Sequence, residues 1–250
     1  MDAILAKFRE DMELRNYAAN TKRHYERVYG FYTRRLAGRG RDLAETDESD
    51  VREYMLHLSC ERKLAPSTVN NYLSVVVFLY EATLGRVVNH SQIPYMKLPK
   101  RLPTVFSREE IRKVMDATEN PSHAAAFSVA YGSGLRISEV VSLRVSDIRS
   151  DEMRLFVAHG KGDKERYTLL ARETLGLLRE HYRADLAGKP DRGGWVFPGM
   201  IPGEHLTDEA IREALDAALV RAGVDKRDRT FHSLRASFAT HMLEIGRAHV

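Results

Sequence analysis

The chain has 250 residues, enough for one large domain or two smaller ones. Apolar residues make up 43% and charged residues 30%, so it can bury real cores under a solvated surface, and no apolar run approaches a membrane span. The single cysteine, Cys60, excludes an internal disulfide and a multi-cysteine metal site, and the acid-bearing opening MDAILAKFREDMEL does not read as a signal peptide. The expectations are a cytoplasmic setting, no membrane, and neither metal nor cofactor.

The first ninety residues read as helices. KFREDMEL is a short amphipathic start, and TKRHYERVYGFYTRRL follows with Tyr25, Val28, Tyr29 and Tyr32 at helical spacing. Ser49-Asp50 opens a third helix expected to bury Val51, Tyr54, Met55 and Leu58. Pro66-Ser67-Thr68 starts a fourth, which Gly85 ends. The second and fourth helices each carry a Thr near the start, a Tyr four residues on and a Phe ten on. Two readings fit: a shared packing constraint, or two amino ends offered to phosphates.

Net charge is only +4, but it is unevenly spread. Lys22, Arg23, Arg27, Arg34, Arg35, Arg39 and Arg41 face Glu26 alone in their stretch, and Asp42, Glu45, Asp47, Glu48, Asp50 and Glu53 follow. Such polarity suits a face for a polyanion, or else an ordinary solvated helix with charge blocks. The next segment, NHSQIPYMKLPKRLPT, reads as an extended basic linker with Pro94, Pro99, Pro103, Lys97, Lys100 and Arg101.

From Ser107 the texture changes. Ser107 and Glu110 form a capping box for one helix, and PSHAAAFSVAYGSG is an apolar small-residue helix ending at Gly132. A short helix begins at GLRISEVVSL, and MRLFVA-HGKGDK-ERYTLL reads as a β-hairpin. ARETLGLLREHYRADLAG returns to helix with Leu175, Leu178, Tyr182 and Leu186 on one side; TDEAIREALDAALVRAG and the final FHSLRASFATHMLEIG complete the series.

Four basic side chains stand where a basic residue needs a reason. Arg136 follows a Gly-Ser-Gly turn, Lys161 sits at the hairpin tip, and His232 and Arg235 share a helix face. Arginines can fork onto phosphate oxygens, a lysine can protonate a leaving oxygen and a histidine can shuttle a proton. Each also has a plain alternative, such as an Arg136–Glu139 pair, a solvated turn lysine or a packed histidine. The Gly-Ser-Gly turn lacks the spacing of a dinucleotide loop, HGKGDK lacks that of a P-loop, and His232 and His241 lie too far round the helix to share a metal.

Taken together and in order, GSGLRISEV, HGKGDKER and HSLRASFATHMLEIG closely resemble the tyrosine recombinase (phage integrase) family, in its Xer-like branch. ANTKRHYERVYGFY and APSTVNNYLSVVVFLYEATL resemble the helices of that family's core-binding domain, and WVFPG also fits. The resemblance implies a mainly α, two-domain protein with the DNA breaking-rejoining fold. Residues 1–90 would form a helical SAM-like core-binding domain, 91–103 a basic linker, and 104–250 an α-helical catalytic domain with a small β-hairpin or sheet.

By the same resemblance, Arg136 and Arg235 are the two catalytic arginines and Lys161 is the hairpin lysine. His232 is the general acid/base, and Glu139 braces the first arginine's helix. Lys22, Arg23, Arg27, Thr68, Asn70, Lys97, Lys100 and Arg101 would contact double-stranded DNA. The pattern departs from the family at Ala236, where a second histidine is usual, and in its nucleophile, because every tyrosine lies at Tyr182 or earlier. The expectation is a C-terminally incomplete recombinase that binds DNA, with doubtful homo-oligomeric assembly on it. The alternative is an inactive DNA-binding derivative, and a third possibility is a tyrosine supplied in trans. Met242, Leu243 and Ile245 are expected to be left exposed.

Overall fold

The computed structural model describes residues 3–99, 102, 104–158, 164–188 and 193–247, with 245–247 described by backbone alone. The chain divides into two compact units, Met1–Arg101 and Leu102–Val250. It is mostly helical, and among the described residues no helix is long and apolar enough to cross a membrane.

The first unit contains α1 (Ala3–Leu14), α2 (Ala19–Ala37), α3 (Glu48–Leu56) and α4 (Pro66–Phe78). Wider turns of π type extend α3 over His57–Glu61 and α4 over Leu79–Thr83. Phe8, Val28, Tyr32, Val51, Leu73 and Tyr80 meet in one core. The hydroxyls of Tyr32 and Tyr80 hydrogen-bond there at 2.7 Å, which satisfies two polar groups that burial would otherwise penalise. Val51, Tyr54 and Leu58 are buried as expected, whereas Met55 stays half-buried at the edge. The N-cap of α3 is Asp47, two residues before the expected start. Its carboxylate accepts the Ser49 amide at 2.8 Å, while Asp50 reaches back to the Asp47 amide at 3.0 Å.

The charge blocks of the sequence meet in space. Arg35 lies 3.7 Å from Glu53 and 3.8 Å from Glu61, Arg39 pairs with Glu53, and Arg41 pairs with Asp50 at 2.8 Å. The acids thus pair with Arg35, Arg39 and Arg41 at the carboxyl-terminal end of the basic run, which reduces the polyanion face expected there. Arg23 and Arg27, nearer the start of α2, are exposed and have no acidic partner among the described residues.

The second unit contains α5 (Arg108–Asp116), α6 (Pro121–Ser133), α7 (Ile137–Val141), β1 (Ile148–Arg149), β2 (Arg154–Val157), β3 (Arg166–Leu169), α8 (Arg172–His181), α9 (Asp208–Arg221) and α10 (Phe231–Arg247). The strands form one antiparallel sheet in the order β1-β2-β3, with Val157 opposite Arg166 and Arg154 opposite Leu169. The expected hairpin is β2–β3; β1 is an added two-residue strand. Helix α6 is the centre of the core: Ala124 to Ala130 are all buried, as for a helix apolar on every side. It runs one residue past Gly132 and ends with Gly134 in the left-handed region, φ 65°.

On α8, Leu175, Leu178 and Leu186 are buried, but Tyr182 is exposed and His181 takes the inner position. The π-type turn at Tyr182–Leu186 accommodates an extra residue, which moves the apolar stripe by one place. His181 is held between Asp185 (Nδ1 to Oδ2, 3.1 Å) and the Val196 carbonyl (Nε2 to O, 2.7 Å).

Candidate active site

Helix α10 is set by what it buries. Phe231, Leu234, Ser237 and His241 face inward, and the Ser237 hydroxyl accepts the Phe106 amide at 2.8 Å. His241 shares a 3.0 Å hydrogen bond with Tyr131, consistent with a packed rather than a reacting histidine. This spacing leaves His232 exposed and Arg235 half-buried on the adjoining face. Both border a cavity of about 640 Å³ that Arg136 lines from the start of α7. Met242 and Leu243 are exposed as expected; the side chain of Ile245 lies outside the described residues.

Arg136 and Arg235, which line the cavity, converge on Glu139, a buried carboxylate on α7. It accepts the Arg136 amide at 2.8 Å and the Arg136 guanidinium at 2.9 Å. Arg166 on β3 adds two parallel hydrogen bonds, at 2.9 and 2.8 Å. Arg235 comes to 3.7 Å with one buried Nη1 that has no hydrogen-bond partner among the described residues. Three guanidinium groups thus share one carboxylate, a cluster of net positive charge, while the cavity itself is also lined by Arg212, Glu209 and Asp216.

Burial alone would raise the Glu139 carboxyl, but the hydrogen bonds from Arg166 and Arg136 outweigh it and hold the group at about 2. Burial, followed by the charge of Arg136, pushes the Arg235 guanidinium below its ordinary value, with Glu139 opposing the shift. A half-buried cation kept beside other cations is a ready site for an anion with several acceptor oxygens.

Arg136, Glu139, His232 and Arg235 are therefore brought together. Lys161 lies outside the described residues, as do Lys100 and Arg101. Arg166 was missed by sequence reasoning. Its strand offers a signal, because Tyr167 and Leu169 are exposed while Arg166 and Thr168 face inward, the reverse of ordinary alternation.

In the first unit, His24 on α2 contacts Asn71 on α4, which sets the starts of the two helices side by side. Neither start has a side-chain cap or an acid in its first turn. Arg23 hydrogen-bonds Asn20, Arg27 reaches His24 at 3.2 Å, and Lys22 pairs with Glu13. Thr68 is half-buried and Lys97 exposed. Asn70, also expected on DNA, clasps the main chain of Met96, donating to its carbonyl at 2.9 Å and accepting its amide at 2.7 Å. Replacing Asn70 by Leu is expected to cost about 1 kcal/mol through those two unpaired main-chain groups, seen as a lower denaturation midpoint.

The fold is similar to those of solved DNA integrases and recombinases: the Tn1549 transposon integrase, solved with transposon right-end DNA, matches with a TM-score of 0.76 at 17% identity, over 97% of this chain and 87% of its own. XerA recombinase matches with 0.53 at 24% identity, over 97% and 84%. Residues 4–90 match the phage integrase N-terminal SAM-like domain, and residues 104–248 match the phage integrase family. The chain belongs to the phage integrase family of tyrosine recombinases. A Sinorhizobium fredii protein provisionally named integrase/recombinase y4qK is 34% identical, over 98% of this chain and 77% of its own length. Tyrosine recombinase XerD of Caulobacter vibrioides is 32% identical, over 84% and 73%.

Proposed function

We propose that this chain binds duplex DNA and seats a backbone phosphate against Arg136, Arg235 and His232, for site-specific recombination by phosphoryl transfer without a metal. The observation that carries this reading is the buried Nη1 of Arg235, which has no hydrogen-bond partner among the described residues, at a cavity shared with Arg136. A phosphodiester supplies the missing acceptor, and its non-bridging oxygens suit two guanidinium forks. His232, exposed at the same cavity, moves a proton at the attacking or leaving oxygen, and Lys161 protonates the departing 5′ oxygen. Residues 1–90 are the DNA-binding domain, 91–103 the linker and 104–250 the catalytic domain. The exposed, acid-free Arg23 and Arg27 supply phosphate contacts from the first unit.

The step that would need a nucleophile has none in these 250 residues. No tyrosine follows Tyr182 in this sequence, and among the described residues none lines the cavity. The chain therefore holds DNA without forming a phosphotyrosine bond by itself. Incubation with a nicked duplex, followed by a denaturing gel, is expected to show no protein–DNA adduct. Binding should weaken by about three orders of magnitude between roughly 50 and 200 mM salt, as six or more phosphate contacts require. A covalent band would overturn the missing nucleophile, and salt-insensitive or absent binding would overturn the DNA reading.

A further inference from the structure

A carboxylate offers about four lone-pair positions. Glu139 already accepts four hydrogen bonds, two from Arg136 and two from Arg166. Arg235 is the donor left over. Its Nη1 stands 3.7 Å from Glu139 Oε2, so a movement of about 1 Å would bring it into hydrogen-bond range. What prevents that movement from being rewarded is that the acceptor is full.

We infer that Arg166 is a positioning residue for the phosphate site: by occupying both oxygens of Glu139 it keeps Arg235 uncommitted and available to an anion. The inference rests on the reading of that site as a phosphate clamp. Arg166 is well placed for this task. The strand carrying it is registered against β2, with Arg166 opposite Val157, and is tied to α6 by the Thr168 hydroxyl, which donates to the Ser133 carbonyl at 2.8 Å. The planar fork of an arginine can cover both oxygens at once; a lysine would cover one. Without the fork, Arg235 falls onto Glu139, and the cavity loses a cation without losing a single charged residue.

The test uses inorganic phosphate and follows the imidazole proton signal of His232, assigned through His232→Gln. Wild-type chain is expected to show a saturable phosphate-dependent shift. Arg166→Lys should weaken that binding about tenfold, the scale of one charge-assisted hydrogen bond, with little change in melting temperature. Thr168→Val, which loosens the same strand without touching Glu139, should bind as wild type. In a Glu139→Gln background, which keeps an acceptor for the arginines but no carboxylate to compete for Arg235, phosphate binding should persist and Arg166→Lys should have no further effect. No shift in the wild type would overturn the clamp and this inference with it. Normal phosphate binding by Arg166→Lys would overturn the inference alone. So would an equal loss in both backgrounds, which would reduce Arg166 to a nearby charge, or a matching loss in Thr168→Val, which would reduce it to strand support.

Discussion

Replacing Glu139 by Leu is expected to lower the stability of the second unit by about 3 kcal/mol, the lower range for breaking a buried ion pair. For a unit of this size that corresponds to a melting temperature lower by roughly 6 to 12 °C. The carboxylate is buried, so its two hydrogen-bonded arginines lose their partner inside the fold rather than at its surface. The estimate sits low because Arg136 and Arg166 are each about a third exposed and can turn partly to water. The function should fail as well, since Arg136, Arg166 and Arg235 would repel one another with nothing to organise them. Acid should act in the same direction. Glu139 has its folded value lowered from 4.5 to about 2, so it contributes stability that is complete above pH about 4.5 and is lost as pH falls toward 2. Urea midpoints between pH 6 and pH 2.5 should therefore fall less steeply in Glu139→Gln than in the wild type. An identical pH dependence would remove Glu139 from the account.

Much of this site was legible because its parts are local. Arg136 and Glu139 lie one helical turn apart, as do His232 and Arg235, and ordered motifs linked the two pairs. Arg166 was not legible in that way: its bond to Glu139 crosses 27 positions and depends on which face of β3 points inward. The helices of both units followed from spacing and capping residues, but phase was less secure. In an unbroken helix Tyr182 faces inward with Leu175 and Leu178, but the wider turn at Tyr182–Leu186 leaves it exposed. Charge patterning misled for a related reason. Arg35, Arg39 and Arg41 look like part of a basic face in the chain, but packing of α2 beside α3 delivers Glu53 and Asp50 to them.

Gly134→Ala is expected to be the other severe substitution, and to act on the site from outside it. Gly134 has φ 65°, which costs a residue bearing a Cβ about 1–2 kcal/mol. The added carbon would also stand 2.6 Å from Phe238 Cδ1 and 2.8 Å from its Cε1, contacts too short to keep. Overpacking of that kind adds about 1–3 kcal/mol, for a combined loss near 3 kcal/mol. The direction of relief matters more than the total. Phe238 belongs to α10, three residues beyond Arg235, while Gly134 immediately precedes the Leu135-Arg136 entry to α7. Pushing the ring away therefore separates Arg235 from Arg136, and the two can no longer hold one phosphate. Phe238→Ala in the same chain should remove the clash but leave the backbone cost. The double variant is then expected to be more stable than the sum of the single losses by about 1–3 kcal/mol, and to recover phosphate binding in part. Simple additivity of the two losses, measured by denaturant titration, would show that the Gly134–Phe238 contact does not set the position of α10.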